Sequence, residues 1–343
     1  MKVLTHPQKS FIGIDVSKLT LDVCIINTEG LNKHQQFSNN QNGFKKLYAW
    51  LNDTTAVFDF SSALFCMEHT GIYTRELLQY LLLKSANVWM ESALHLKRSM
   101  GMTRGKNDKI DSFRIARYAM SNQDQAKLIT LSNKTLLLLK DLMASRTRIH
   151  KAYQAIEISL KEMERIDKAT GKELRQVNKA ALAGLKKSKA ATETRMLELI
   201  NSDPEMKNIF SLVTSIKGVG TVLATELMVY THLFQRLDTP KQLACYCGVA
   251  PFSHTSGTSI KGKMGTSNFA NMNLKSTLHL AAMSATRYVP DLKQYYERKV
   301  AEGKSKMSVL NAIRNKILFR VLAVVKRGTP YVENYLEFNL ENS

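Results

Sequence analysis

The sequence has little of what a membrane-spanning, secreted or thiolate-metal protein needs. Its longest apolar runs, such as LTLDVCII and LLQYLLL, are far shorter than the ~20 residues that a membrane-spanning helix requires. The first ten residues are MKVLTHPQKS and contain no apolar signal region, so we expect no secretion. Among 343 residues there are 4 cysteines, and Cys245 and Cys247 are too close in sequence for an easy disulfide. We therefore expect reduced thiols, no membrane partner and a location in the cytoplasm.

Acidic residues are scarce relative to basic ones. The chain has 49 lysines and arginines against 29 aspartates and glutamates, which gives a formal net charge of +20. Such a surplus predicts a polyanionic partner, most simply nucleic acid, although a basic solvated surface would give the same count. With 343 residues, 44% of them hydrophobic, the chain is long enough for two domains and a connecting element.

Residues 1–128 have the pattern of an α/β domain. Residues 11–27, FIGIDVSKLTLDVCIIN, alternate apolar side chains with period two around a short turn, which predicts a β-hairpin. A polar segment around Phe37 follows, to which we assign no strand. Helix and strand patterns then alternate to about residue 95, and SSALFCME is typical of a strand covered on both faces. The order predicts a mixed, ribonuclease-H-like sheet with helices on its faces.

Four acidic residues fall where this fold would bring them together. Two lie on or at the end of strands and two at the start of a helix capped by Asn107 or Asp108: Asp15, Glu68, Asp108 and Asp111. Carboxylates a few ångströms apart repel one another, so cations between them would be needed. Oxygen ligands select magnesium or manganese, and two such ions can bind both the attacking and the leaving oxygen of a phosphodiester. Singly, each residue is explained equally well by a turn, an ion pair, a cap or a solvated position; jointly they predict a metal site.

Residues 129–204 predict a long helical region. Seven large side chains alternate at spacings of three and four, as in a coiled coil: Leu139, Leu142, Ile149, Tyr153, Ile156, Leu160 and Met163. Gly171 predicts a break before a second helix. Because the stripe is narrow, we expect an oligomerisation element that forms a dimer or tetramer. A helical hairpin packed on its own chain is the alternative.

Residues 205–343 predict a third, mostly helical region. The segment SIKGVGTVLATEL places Lys217, Gly218 and Gly220 directly before a helix, as in a helix-hairpin-helix turn. The free backbone N–H groups of such a turn can bind a DNA phosphate. A tight turn that binds no ligand would have the same sequence.

Several motifs together resemble those of one protein family. This family is that of the insertion-sequence 110 transposases, also called bridge-RNA-guided recombinases. Five motifs of this sequence resemble motifs of the family and occur in the same order: GIDVSK, MEHTGIY, KNDKIDS, IKGVGTVLATEL and GVAPFSHTSGTSIKGK. The resemblance extends from about residue 10 to residue 330. It implies an N-terminal RuvC-like domain, a coiled-coil middle and a C-terminal transposase domain. Its catalytic DEDD tetrad corresponds to Asp15, Glu68, Asp108 and Asp111.

The resemblance also implies a serine nucleophile within the element SGTS. The corresponding hydroxyl is that of Ser256, with Ser259 as the reserve candidate. A serine needs a base or a metal nearby, and the resemblance implies that the RuvC-like site of one subunit meets the transposase domain of another. In place of the arginine-rich run common in the family, the candidate phosphate contacts are Lys261, Lys263 and Lys275.

The function that the resemblance implies is recombination of a mobile element, in which a structured bridge RNA pairs with donor and target DNA. The expected cofactor is magnesium or manganese, and the expected location is the bacterial cytoplasm, at the nucleoid when active. A metal-dependent RuvC-like junction endonuclease is the alternative enzyme, and it would form no covalent adduct with DNA. A non-catalytic nucleic-acid-binding protein is the alternative outside enzymes.

The net charge generates a first prediction. The affinity of the purified protein for nucleic acid should fall steeply with salt, because each phosphate contact releases a counterion and adds about −0.9 to the slope of log K against log salt concentration. Fluorescence anisotropy with a labelled duplex in a potassium chloride series measures this slope. A nearly flat response would contradict binding through the basic surface.

Overall fold

The structure is a computed structural model that describes residues 8–55, 58–68, 71–99, 107–129, 134–235, 237, 239–252, 255–256, 260–261, 265–266 and 270–332. The chain forms two compact units, the N-terminal unit Met1–Ser132 and the C-terminal unit Asn133–Ser343. The division into three regions at residues 128 and 204 stays a prediction. No helix in the described part of the chain is long and apolar enough to cross a membrane.

A mixed five-stranded sheet forms the centre of the N-terminal unit. Its strands are β1 (Ser10–Val16), β2 (Thr20–Asn27), β3 (Asn32–Ser38), β4 (Ala63–Glu68) and β5 (Asn87–Glu91). The spatial order is β3-β2-β1-β4-β5, with β1 antiparallel to β2 and parallel to β4, and with β5 parallel to β4. The predicted hairpin and the predicted mixed sheet are therefore confirmed.

Strand β3 is the element of this sheet that the sequence did not predict. It pairs antiparallel with β2 at the edge of the sheet, and most of its side chains are exposed. Phe37 is its buried residue, and its ring lies 5.6 Å from that of Trp50. An edge strand in contact with water has no need of alternating apolar residues, so its sequence resembles that of a polar loop.

Helices cover both faces of this sheet. The helices of the N-terminal unit are α1 (Gln41–Thr54), α2 (Arg75–Leu83), α3 (Ala93–Ser99) and α4 (Asp108–Ser121). Phe44 of α1 and Leu77 of α2 are buried with Ile12 and Ile14 on one face, whereas Ile115 of α4 is buried on the other face. The three-and-four spacing of apolar residues along α1 directs its buried side chains to the sheet.

Helix α4 lies directly on β1 because β1 has a glycine at the point of contact. A Cβ atom at Gly13 would lie 2.1 Å from the carbonyl oxygen of Ser112 and 2.2 Å from the backbone nitrogen of Ala116. Ser112 and Ala116 are small and fully buried. Three small residues thus let the helix backbone contact the strand backbone, and this contact fixes the position of the first turn of α4.

The C-terminal unit is built mainly of helices. They are α5 (Lys134–Ile166), α6 (Lys168–Val177), α7 (Lys179–Ser202), α8 (Pro204–Thr214), α9 (Thr221–Tyr230), α10 (Pro240–Tyr246), α11 (Met272–Tyr288), α12 (Pro290–Ala301) and α13 (Lys306–Arg327). Between α10 and α11 lie two pairs of short antiparallel strands, β6 (Pro251–Phe252) with β9 (Gly265–Thr266) and β7 (Thr255–Ser256) with β8 (Ile260–Lys261). The core combines α8, α9, α11 and α13 with one end each of α5 and α7.

The break predicted at Gly171 is wrong. The chain turns at Asp167, whose carboxylate accepts hydrogen bonds from the backbone nitrogens of Ala169 and Thr170 and so caps α6. Gly171 lies inside α6, where a Cβ would be 2.5 Å from Cα of Glu164. It therefore allows α6 to contact α5 closely. Helices α5 and α7 also pack together within the chain, as the alternative of a helical hairpin has it. The oligomeric coiled coil stays a prediction.

The contact at Gly13 generates a second prediction. Gly13→Ala should destabilise the N-terminal unit, since its Cβ would meet backbone atoms, and overpacking of this kind costs about 1–3 kcal/mol. Both tryptophans, Trp50 and Trp89, belong to this unit, so urea unfolding followed by tryptophan fluorescence measures it. Lys45→Ala, on the exposed side of α1 in the same unit, is the control and should leave the midpoint unchanged. Equal midpoints for Gly13→Ala and the unmodified protein would show that α4 does not press on β1.

Candidate active site

Asp15 lies at the carboxyl end of β1, on the sheet face that α4 covers. Phe11 and Gly13 precede it on this face, because side chains of a strand alternate between faces. The parallel pairing of β1 with β4 brings the carboxyl ends of both strands to one edge. Glu68, the last residue of β4, lies at this same edge and is partly buried.

Helix α4 brings two further carboxylates towards this edge. Asp108 and Asp111 are both in its first turn, and Asn107 caps the helix by accepting a hydrogen bond from the backbone nitrogen of Lys109 at 3.0 Å. The amide of Asn107 thus takes the capping role that was one explanation for Asp108. Asp111 forms an ion pair with Arg114, whose Nη1 lies 3.1 Å from Oδ1 of Asp111.

The four predicted carboxylates interact electrostatically. The pKa of Asp15 is raised from its ordinary 3.8 to about 6, first by burial and then by the negative charges of Asp108, Asp111, Glu68 and Asp22, in that order. Repulsion of this kind acts between charges that lie near one another. Asp15 therefore lies near enough to Glu68, Asp108 and Asp111 for their charges to act on it, and the metal site itself stays a prediction.

The donor set fits a hard divalent cation. All four side chains offer carboxylate oxygens, which magnesium and manganese prefer, and a cation would relieve the repulsion that raises the pKa of Asp15. Within the described ranges no three acidic, histidine or cysteine side chains lie close enough together to hold an ion. Binding would therefore require the carboxylates to move closer to one another.

Asp22 is an acidic neighbour of the site that sequence reasoning missed. It lies on β2 directly opposite Asp15 and is buried. Its Oδ1 lies 3.0 Å from Nε2 of His34, and its Oδ2 accepts a hydrogen bond from Nε2 of Gln36. The signal was available, because an aspartate interrupts the apolar run of β2 just as Asp15 interrupts β1.

Glu91 is a second acidic neighbour of the site that sequence reasoning missed. It ends β5 in register with Glu68, so the acidic edge extends over three parallel strands. Its Oε2 accepts a hydrogen bond from the hydroxyl of Tyr118 in α4 at 3.3 Å. Burial, together with the charge of Glu91, raises the pKa of Tyr118 to about 12. This bond provides a second attachment of α4 to the sheet, and a lone glutamate before a serine gives no sequence signal for it.

The predicted nucleophile lies in the C-terminal unit. Ser256 ends β7, and its backbone pairs with Ile260 of β8, while Lys261 pairs with Thr255. Ser259 and Lys263 lie outside the described residues. Lys275 lies in the first turn of α11, at the other end of this segment.

The predicted glycine turn connects α8 to α9. Lys217 lies within the turn, and Gly218 has a φ of 93°, a left-handed conformation that favours glycine. Gly220 is the residue before α9, and a Cβ there would meet nothing within 4 Å. The backbone at the start of α9 is therefore open to a close approach.

Comparisons with known proteins agree with these observations. Residues 12–163 match a family model described as "Transposase", the DEDD type of IS110, and residues 210–297 match "Transposase IS116/IS110/IS902 family". Pilin gene-inverting proteins of Moraxella lacunata and Moraxella bovis are 28% and 27% identical over 337 residues, or 94% of this chain and 98% of each relative. An uncharacterized IS110 protein of Streptomyces coelicolor is 28% identical over 152 residues, 44% of this chain and 36% of that protein.

The raised pKa of Asp15 generates a third prediction. Since its folded-state pKa of about 6 exceeds the ordinary 3.8, the folded state binds more protons between these values, and stability falls as pH rises from 4 to 6. Asp15→Asn removes this penalty. In EDTA, its Tm relative to the unmodified protein should therefore increase from pH 4 to 6 and stay constant above.

Thermal unfolding followed by tryptophan fluorescence measures the Tm at each pH. Asp53→Asn, on the exposed side of α1, is the control and should show no such increase. A Tm difference for Asp15→Asn that is the same at pH 4.5 and pH 7 would contradict the electrostatic description of the site.

Proposed function

Since this chain belongs to the IS110 family of transposases and is a DNA recombinase, we propose that it cuts DNA with four metal-binding carboxylates and one serine. The carboxylates are those of Asp15, Glu68, Asp108 and Asp111, and the serine is Ser256. The observation that supports this most strongly is the effect of three of these carboxylates on the pKa of the fourth, Asp15. A bound divalent ion, magnesium or manganese, would supply stabilisation of the charge that develops on the phosphodiester oxygens.

The side chains of the N-terminal unit would hold and orient the ions. Asp15 is fixed by β1, and Asp108 and Asp111 are fixed by the contact of α4 with Gly13. Arg114 restrains Oδ1 of Asp111. Asp22, held by two hydrogen bonds, is one of the neighbours that raise the pKa of Asp15 and so favours cation binding there.

Ser256 would form the covalent intermediate. Its Oγ would attack the scissile phosphorus and lose its proton to solvent. The P–O3′ bond would break, the 3′ oxygen would take a proton from solvent and leave as a hydroxyl, and the 5′ phosphate would become a phosphoserine. A 3′ hydroxyl of the partner strand then attacks the phosphoserine and releases Ser256. The phosphoester bond is conserved throughout, so rejoining needs no ATP.

We also propose the finer features that the family resemblance implies. A structured bridge RNA pairs with donor and target DNA at the nucleoid, and the turn of Lys217, Gly218 and Gly220 binds a phosphate as a helix-hairpin-helix, with Lys261, Lys263 and Lys275 as further contacts. Helices α5 and α7 join subunits into a dimer or tetramer through a coiled coil. Ile166 at the end of α5 is 79% exposed, and an exposed apolar side chain on this helix supports such an assembly.

The names of two relatives favour a second candidate function, the inversion of a DNA segment. The Moraxella proteins are named for inverting a pilin gene and match nearly the whole chain. Inversion of a DNA segment would use the same cutting and rejoining steps with a different arrangement of the two sites.

The covalent intermediate gives the fourth prediction. With labelled element-end DNA, magnesium and RNA transcribed from the sequence beside the gene, the unmodified protein should form a DNA adduct that resists denaturing electrophoresis. Ser256→Ala should form none, whereas Ser259→Ala, the matched control three residues away, should form the normal amount. Asp15→Ala and Glu68→Ala should abolish cleavage but still bind DNA and RNA.

Each other outcome contradicts a specific part of the proposal. Loss of the adduct only in Ser259→Ala would assign the other hydroxyl, and cleavage without any adduct would indicate a RuvC-like endonuclease. Cleavage by Asp15→Ala would refute the carboxylate site. Equal cleavage without RNA would refute RNA guidance, and light scattering that finds a monomer with and without RNA would refute the coiled-coil assembly.

A further inference from the structure

Arg314 of α13 is a buried arginine that pairs with no carboxylate among the described residues. It is 5% exposed. Its Nη2 lies 3.1 Å from Nδ1 of His279, and its buried Nε has no hydrogen-bond partner in the described part of the chain. Burial of a charge without a counter-charge is unfavourable, and here it lowers the pKa of Arg314. The side chain thus has a charge and an N–H donor that no described residue satisfies.

His279 of α11 has a defined hydrogen-bonding role because of this arginine. A guanidinium only donates, so Nδ1 of His279 must accept, and Nε2 carries the hydrogen. Burial and the charge of Arg314 lower the pKa of His279, which keeps the ring neutral. Arg314 therefore provides a cation and an N–H donor beside a neutral ring, a combination that suits an anion.

Arg314 and His279 lie on helices that contact the start of the segment between α10 and α11, the segment that carries Ser256. Asn311, one helical turn before Arg314, donates from Nδ2 to the carbonyl oxygen of Val249 at 2.8 Å. Lys275, one turn before His279, lies beside Gly248, where a Cβ would be 3.3 Å from Cδ of the lysine. Helices α11 and α13 pack together, and Gly248 and Val249 lead directly into β6 and β7.

We propose that Arg314 and His279, together with the neighbouring Lys275, bind a phosphodiester of a DNA strand at the start of this segment. A phosphate would supply the missing counter-charge and accept from the free Nε–H, and the planar guanidinium is suited to phosphate oxygens. The choice of DNA as the ligand rests on the proposed function. His279 and Lys275 also belong to the segment that matches the transposase family, residues 210–297.

Arg314→Met tests this site, because methionine keeps an unbranched apolar stem but has no charge and no donor. Anisotropy with a labelled DNA duplex should show binding about tenfold weaker, as expected for one lost charged hydrogen bond. The salt slope should decrease in magnitude by about 1, as expected for one lost phosphate contact. Arg287→Met, an exposed arginine at the end of α11, is the matched control and should keep the normal slope.

A purely structural arginine predicts a different result. If Arg314 serves only packing, Arg314→Met should leave the affinity and the slope unchanged, and this would overturn the proposal. Should the methionine variant fail to fold in a thermal melt, Arg314→Lys replaces it: the lysine retains the charge but not the Nε–H, and it should still weaken binding. Normal DNA binding by a folded Arg314→Lys would then overturn the proposal.

A single-stranded RNA of the same sequence distinguishes the two nucleic acids. If Arg314→Met bound the RNA more weakly but bound the DNA duplex as the unmodified protein does, the DNA site would be rejected. The assay involves neither cleavage nor a covalent adduct, so it stays informative if Ser256 forms none. The failure of the proposed chemistry and the failure of this site are therefore separable.

Discussion

The close contact of α4 with β1 at Gly13 is the constraint on which the candidate active site depends. The carboxylates of Asp108 and Asp111 come from a helix about forty residues beyond the strand that provides Glu68, so only the docking of that helix can bring them to Asp15. Backbone-to-backbone contact leaves little freedom to shift or rotate. The hydrogen bond of Tyr118 to Glu91 restrains the same helix near its other end.

The two units have opposite electrostatic requirements. In the N-terminal unit, burial and then the charges of neighbouring carboxylates raise the pKa of Asp15, and these carboxylates favour a cation. In the C-terminal unit, Arg314 is buried with a neutral histidine and favours an anion. A metal ion and a phosphodiester are the two charged components of phosphoryl transfer, so each unit favours one of them.

Much of this arrangement could be predicted from the sequence. The hairpin, β4 and the cap of α4 depend on local patterns, and Asp15 was conspicuous because it interrupts an apolar strand. Strand β3 was missed since its pairing is set by β2 and not by its own polar residues. Gly171 was misinterpreted because a glycine that permits close helix packing has the same letter as one that ends a helix. Arg314 gave no signal, since its burial without a counter-charge from any described residue appears only in three dimensions.

The placement of Ser256 and the four carboxylates in separate units has a consequence for the integrity of the chain. With the chemistry proposed above, a chain that is cut or terminated between the two units yields fragments that each lack one half of the reaction. Such fragments should form no covalent adduct with DNA.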